Sequence, residues 1–235
     1  MPRAHPVKYL QAEGNKTRHP ENLPVRDVMN RVGGRMLDRK KIERQHSLEC
    51  VAMVVDINGS EKIISANEQQ LMAQFFRDLL AGSIKAVEDA GGSVISLTGD
   101  GFVSVFPSEE AAGLACFGIA RDMRKTREYL ASGGPAVWPA LKHGIGLKIG
   151  IERGYLSAST ISCDFLGEQP YLVGPPTVYA TRIMGFGKGD RCVVGPRAAA
   201  HWPYSRLDGP LEGKIKHQKI SYTYYFFDLE DFWTD

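Results

Sequence analysis

The sequence is poor in the features that identify several common classes of protein. It has four cysteines, Cys50, Cys116, Cys163 and Cys192, none in a CxxC pair and each in or beside an apolar stretch. That pattern offers neither a zinc-ligand set nor a disulfide framework, and the expectation is free, buried thiols in a reducing compartment. No apolar run approaches the roughly 20 residues that cross a bilayer. The opening residues, MPRAHPVKYLQAEG, lack the apolar centre of a secretory signal. A cytoplasmic protein without a membrane span is expected. There is no internal repeat. The glycine-rich cluster Gly185-Phe186-Gly187-Lys188-Gly189 misses the phosphate-binding pattern GxxxxGK(S/T) and reads as a loop that ends a helix. The formal net charge is only +2, so whole-chain charge does not argue for a nucleic-acid partner, and none is expected.

What is present divides at about residue 45. With 43% hydrophobic residues in 235, the chain can bury one sizeable core plus an extension. Residues 1–45 hold eleven Lys/Arg against five Asp/Glu and form a basic N-terminal extension. Pro2, Pro6, Pro20 and Pro24 make its first half irregular. Val25, Val28, Met29 and Val32, then Met36, Leu37 and Ile42 beyond Gly33-Gly34, suggest two short helices. Residues 46–235 form the compact domain.

That domain opens with ECVAMVVDI, a Val-rich run of strand length ended by Asn58-Gly59-Ser60. A helix follows over about Ala66 to Ala90, with Leu71, Phe75, Phe76, Leu79, Leu80, Ile84 and Val87 at helical spacing, and Gly91-Gly92 ends it. SVISLT and FVSVFP flank Gly99-Asp100-Gly101 as a hairpin. A second helix over about Ser108 to Leu130 presents Ala111, Ala112, Leu114, Ala115, Phe117, Ile119 and Met123 to the core. A loop from Gly133 to Pro139 leads to a strand in which Ile145, Leu147, Ile149 and Ile151 alternate. A helix over Thr177 to Met184, a strand CVVG, a short helix PRAAAHW and a terminal strand KISYTYYFFDL complete the order. The class is α+β, and its first half is the ferredoxin-like β-α-β-β-α-β pattern. Tyr222, Tyr224, Tyr225, Phe226 and Phe227 suggest an edge strand packed on a helix or a second subunit. His46, His143 and His217 read as surface or loop-end residues.

Two carboxylates stand out. Asp56 closes an otherwise apolar strand, and Asp100 sits between glycines at a hairpin tip. In a β-α-β-β order the first strand lies beside the hairpin, so both can reach one sheet edge. Paired aspartates there repel unless a hard divalent cation neutralises them. Two such ions suit an in-line displacement at phosphorus. Taken alone, Asp100 is also ordinary turn chemistry, and Asp56 could cap the following helix.

The surrounding text adds a resemblance. VVDINGS, GGSVISLTGDGFVSVFPSEEAA, LKIGIERGYLSAS, VGPPTVYATRIM and RCVVGPRAAA, in this order, resemble the class III adenylate/guanylate cyclase catalytic domain from about Cys50 to Phe227, roughly three-quarters of the chain. The resemblance implies a ferredoxin-like core with C-terminal α/β additions. It further implies a sheet with helices on one face, and a head-to-tail homodimer with shared active sites. It makes Asp56 and Asp100 the metal-binding aspartates and Ile57 a backbone-carbonyl ligand. Two divalent ions, Mn²⁺ or Mg²⁺, would be bound per site. The Gly59 and Ser60 backbone would face a nucleoside triphosphate. Arg182 would be the transition-state arginine supplied by the partner subunit, and Lys214, or instead Lys216 or Lys219, a phosphate-binding lysine.

Three positions depart from that pattern. Ser96 stands where adenylate cyclases carry a base-reading lysine, Tyr171 where they carry an aspartate or similar residue, and Val178 where an asparagine orients the ribose. The purine-reading pair is therefore missing. A bulky Tyr171 would shrink the pocket toward a pyrimidine, and the Ser96 and Tyr171 hydroxyls could meet its carbonyl oxygens. With no receptor or membrane module, the chain is similar to the uridylate/cytidylate cyclases of bacterial Pycsar antiphage systems. That implies conversion of UTP to cyclic UMP, with a separate effector reading the product. CTP or ATP cyclisation, or a catalytically inactive nucleotide-binding module, are the alternatives.

Overall fold

The computed structural model describes residues 47–65, 69–132, 145–163, 167–204, 207–215 and 220–230. The basic extension and the two short helices expected in it, the 133–139 loop, His46, His143, His217, Lys216 and Lys219 lie outside the described residues.

Strand β1 (Leu48–Ile57) is followed by a short helix α1 (Ser60–Ser65) and the long helix α2 (Gln69–Asp89). The hairpin β2 (Ser93–Leu97) and β3 (Gly101–Phe106) comes next, then helix α3 (Glu109–Ala131). Strand β4 (Leu147–Cys163) turns back as β5 (Gly167–Val173) and leads to helix α4 (Pro175–Met184). The remainder is β6 (Arg191–Val194), the one-turn helix α5 (Pro196–Ala199), β7 (Asp208–Lys214) and β8 (Ser221–Asp228). The sheet runs β2-β3-β1-β4-β6-β8-β7, and β5 pairs with the far half of β4.

β1 is central and apolar from Cys50 to Val55 because both its faces are covered there. Val51, Met53, Val55 and Ile57 join α2 and α3 in the main core through Phe75, Phe76, Leu79, Val87, Ala112, Ile119 and Met123. Cys50 on the other face packs with Val105 and Leu156. Ile149 and Ile151 of β4 also enter the main core. Gly150 between them faces the opposite way, where a Cβ would overlap the Ala180 carbonyl of α4. Helices therefore cover both faces, which corrects the expectation of helices on one face. Glycine at 150 lets α4 lie directly on the strand backbone.

Other details also differ from expectation. The segment after Asp56 forms its own helix before α2. β4 runs 17 residues, past the polar SASTISC stretch, because β5 pairs with it from Ser157 to Cys163. β8 is not an edge, since β7 covers it. Its aromatic rings are used on both faces: Tyr222 meets Tyr179 of α4 edge-on, Tyr224 stacks on Phe186, and Phe227 packs against Trp202. Leu114 and Phe117 are 52% and 44% exposed. A 23-residue helix with so many apolar positions cannot turn all of them to one core. Cys50, Cys116 and Cys192 are buried free thiols. Burial pushes the Cys50 thiol up to about 12, so it is inert. Among the described residues no helix is long and apolar enough to cross a membrane.

Candidate active site

Asp56, next to the end of β1, is the register partner of Gly101 on one side and of Lys148 on the other. The hairpin tip is built to reach it. Gly99 has φ +78°, a left-handed conformation that glycine adopts freely. A Cβ on Gly101 would overlap the Val55 carbonyl oxygen and lie 3.2 Å from the Asp56 Cα. The second glycine thus lets the turn close onto β1. Ile57 N–H donates to the Asp100 carbonyl at 3.1 Å, and Thr98 N–H donates to the Gly101 carbonyl at 2.9 Å. The tip is locked, and the carboxyl groups of Asp56 and Asp100 come within hydrogen-bonding reach of each other.

Burial, and after it the Asp100 charge, hold the Asp56 carboxyl above its ordinary value of 3.8, while the Lys148 ammonium pulls the other way. Like charges brought together at a half-buried position raise the cost of ionisation, and a cation between them removes it. The Ser60 hydroxyl donates to Asp100 Oδ2 and orients that carboxylate. Among the described residues no three His, Cys, Asp or Glu side chains cluster as a metal cage. The donor set is two hard carboxylates with an open side. That fits Mg²⁺ or Mn²⁺, which keep waters and take phosphate oxygens, and does not suit a structural zinc.

The other candidates sit elsewhere in the protomer. Ile57 is buried and its N–H is taken by Asp100. Gly59 is exposed in the turn that starts α1. Ser96 is exposed on β2, directly after a register shift, and Tyr171 pairs with Ser159 on β5. Their chain neighbours Ile95 and Leu172 pack on the same small cluster, which brings the two strand segments together. Val178 and Arg182 share one exposed stripe of α4, four residues apart. Arg182 makes no ion pair with any described residue. Lys214 ends β7, exposed and paired with Ser221. β7 lies four strand spacings from β1, about 19 Å, so Lys214 does not join Asp56 within one subunit.

Lys148 and the Ser60 hydroxyl were not foreseen from the sequence. Lys148 is the polar position in an alternating strand, and only the register across β1 and β4 shows that it faces Asp56.

No protein-family model and no curated protein matches the sequence. Solved structures do. The guanylyl cyclase Cya2 matches at 12% identity with a TM-score of 0.64, covering 77% of this chain and 91% of that one. The adenylyl cyclase CyaB from P. aeruginosa matches at 15% identity and 0.63, covering 77% and 95%. The non-canonical dimeric guanylyl cyclase domain of the RhoGC fusion protein from Blastocladiella emersonii matches at 16% and 0.58, covering 77% and 97%. Different base specificities on one backbone mean that the likeness speaks to architecture: this chain has the fold of the class III adenylyl and guanylyl cyclase domains.

Proposed function

We propose that this protein is a nucleotidyl cyclase, which closes a ribonucleoside triphosphate, with UTP preferred, into the 3′,5′-cyclic monophosphate and releases pyrophosphate. The observation that carries the reading is the meeting of Asp56 and Asp100 where β1 ends against the β2–β3 hairpin tip, with the Asp56 carboxyl held above its ordinary value by burial and a like charge. Domain boundaries at 46–235, with 1–45 as a basic extension, belong to the same proposal.

Asp56 and Asp100, with the Ile57 carbonyl, would hold the divalent ions, Mn²⁺ or Mg²⁺. Those ions, when bound, acidify the ribose 3′-hydroxyl and neutralise charge on the leaving group. Ser60 keeps the Asp100 carboxylate aimed, and the Gly59-Ser60 turn borders the phosphates. The 3′-oxygen forms a bond to the α-phosphorus as the bond to the bridging oxygen breaks; the proton goes to solvent and pyrophosphate leaves. Arg182 of the second subunit stabilises charge growing on the phosphoryl oxygens. Lys214 binds phosphate, and Lys148 lies on the side where a triphosphate would approach Asp56. The homodimer supplies what one subunit separates. Ser96 and Tyr171 read a pyrimidine through their hydroxyls, and Val178 lines the ribose side without a hydrogen bond.

The similarity to the Pycsar enzymes extends the proposal to cyclic UMP as a second messenger in antiviral defence, made in the cytoplasm and read by a separate effector. The test is incubation of the purified protein with each of the four ribonucleoside triphosphates and Mn²⁺, with products identified by mass. Cyclic UMP as main product is expected. Cyclic AMP or GMP as main product overturns the pocket assignment. The exposed apolar Val178, which offers the ribose no hydrogen bond, favours a second reading: a module that binds the nucleotide without turning it over. Binding of UTP with no product from any of the four would establish that one.

A further inference from the structure

The start of β4 is held unusually well for the end of a strand. Each of three successive residues there has a polar partner from a different part of the chain. The Ile145 carbonyl accepts from Arg127 of α3, through Nε at 3.1 Å and Nη2 at 2.6 Å. The Gly146 carbonyl accepts from the Asn58 N–H at 2.8 Å. The Leu147 N–H donates to Asp190 Oδ1 at 3.0 Å. Arg127 and Asp190 are also ion-paired to each other, and the Asp190 side chain is only 10% exposed. The loop before β6 is fixed in turn, because Leu229 N–H donates to the Asp190 carbonyl at 2.9 Å. A Cβ on residue 146 would overlap Asp190 Oδ1, so glycine is what lets the aspartate close on the strand.

This clamp lies directly behind the candidate site. Ile57 pairs with Leu147 and Asp56 with Lys148. Whatever holds 145–147 therefore sets where β1 ends against β4, where the Asn58 turn begins and where Lys148 stands. We propose that Arg127 and Asp190 are positioning residues for the carboxylate site: through Gly146 and Leu147 they fix the Asp56–Lys148 register and the turn that carries Ser60. Neither touches metal or substrate. The inference rests on the proposed metal site and cyclase reading for its metal-binding and catalytic consequences, but not for its structural one, the protection of the Asn58 amide.

The test uses the full-length protein with Asp190→Asn and Arg127→Lys. The first keeps an acceptor for Leu147 but removes the charge that faces Arg127. The second keeps the charge but cannot fork to both Ile145 and Asp190. Either variant suffices should the other fail to fold. Glu230→Gln is the control, because Glu230 meets the same arginine from outside the clamp, exposed, at 3.4 Å. Hydrogen exchange at the Asn58 amide and Mn²⁺ affinity by calorimetry are read alongside turnover. Asp190→Asn and Arg127→Lys should each speed Asn58 exchange and weaken Mn²⁺ about 10-fold, in the range found for outer-shell partners. kcat should fall about as much with KM within about twofold, and Glu230→Gln should match the wild type in all three. Unchanged Asn58 protection and Mn²⁺ affinity in a folded clamp variant overturns the proposal. Loss of both in a protein that never turns over any nucleotide leaves the clamp standing and removes the cyclase reading instead.

Discussion

The two flanks of the sheet are made of opposite materials. Around Asp56 the chain uses glycine turns, main-chain hydrogen bonds and two like charges, with Lys148 as the nearby cation. Around α4, β8 and β7 it uses aromatic packing: Tyr179 against Tyr222, Phe186 on Tyr224, and a Tyr179 hydroxyl that donates to the Thr223 carbonyl at 2.9 Å. The first flank has negative charge to spare. The second presents Arg182 and Lys214 to solvent on a stiff support. On the proposed cyclase reading neither is a complete site for a triphosphate, and each holds what the other lacks. Two copies arranged head to tail would bring them together.

That contrast can be broken most sharply by complementation. Asp56→Ala and Arg182→Ala should each lower product formation by about 10²-fold or more. Mixing and re-equilibrating the two inactive proteins should restore about a quarter of wild-type activity. Half of the dimers are then mixed, and each of those has one intact site of two. A mixture as inactive as its parents would mean that both groups serve the same subunit. Metal binding sharpens the comparison at the next level. Mn²⁺ at about one hundred times its Kd should add about 2.7 kcal/mol, a melting-temperature rise of about 5–11 °C for a chain of this size. Asp56→Asn should abolish that rise. The pH sign follows from the elevated Asp56 carboxyl. Its contribution to metal-free stability is whole below the ordinary value of 3.8 and is lost as pH climbs through the higher folded value. At neutral pH the metal-free Asp56→Asn protein should therefore melt above the wild type, and with Mn²⁺ below it; the reverse order by calorimetry would disprove the cost that burial, and after it the Asp100 charge, puts on ionising Asp56. On the aromatic flank the effect is smallest. Tyr179→Phe should cost about 1 kcal/mol, read by urea denaturation, and leave Mn²⁺ affinity unchanged.

Much of this architecture is legible in the sequence where pattern and burial agree. β1 reads as a strand because Cys50 to Val55 is an unbroken apolar run, and the Gly-Asp-Gly tip announces the hairpin. The faces of α2 follow from the spacing of Phe75, Phe76, Leu79, Leu80 and Val87. The two missed strands carry the wrong signals. β5, GEQPYLV, contains Pro170 and no alternation, and β7, DGPLEGK, holds Pro210 and two glycines. Both sit at edges, where a strand tolerates such residues because one side needs no partner. The site was legible as two aspartates, since their place in the chain order already brought them together. Lys148 and the Arg127–Asp190 clamp were not, because cross-strand register and contacts between distant segments leave no local trace.

β4 serves two sheets at once, its near end bearing Lys148 and its far end pairing with the strand that bears Tyr171. From Lys148 to Ser159, the partner of Tyr171, is about 36 Å of unbroken strand. One covalent beam thus spans the distance between the aspartates and the hairpin that would sense a base. A slip in the register of β4 would therefore be felt at both of its ends, against Asp56 and against Tyr171.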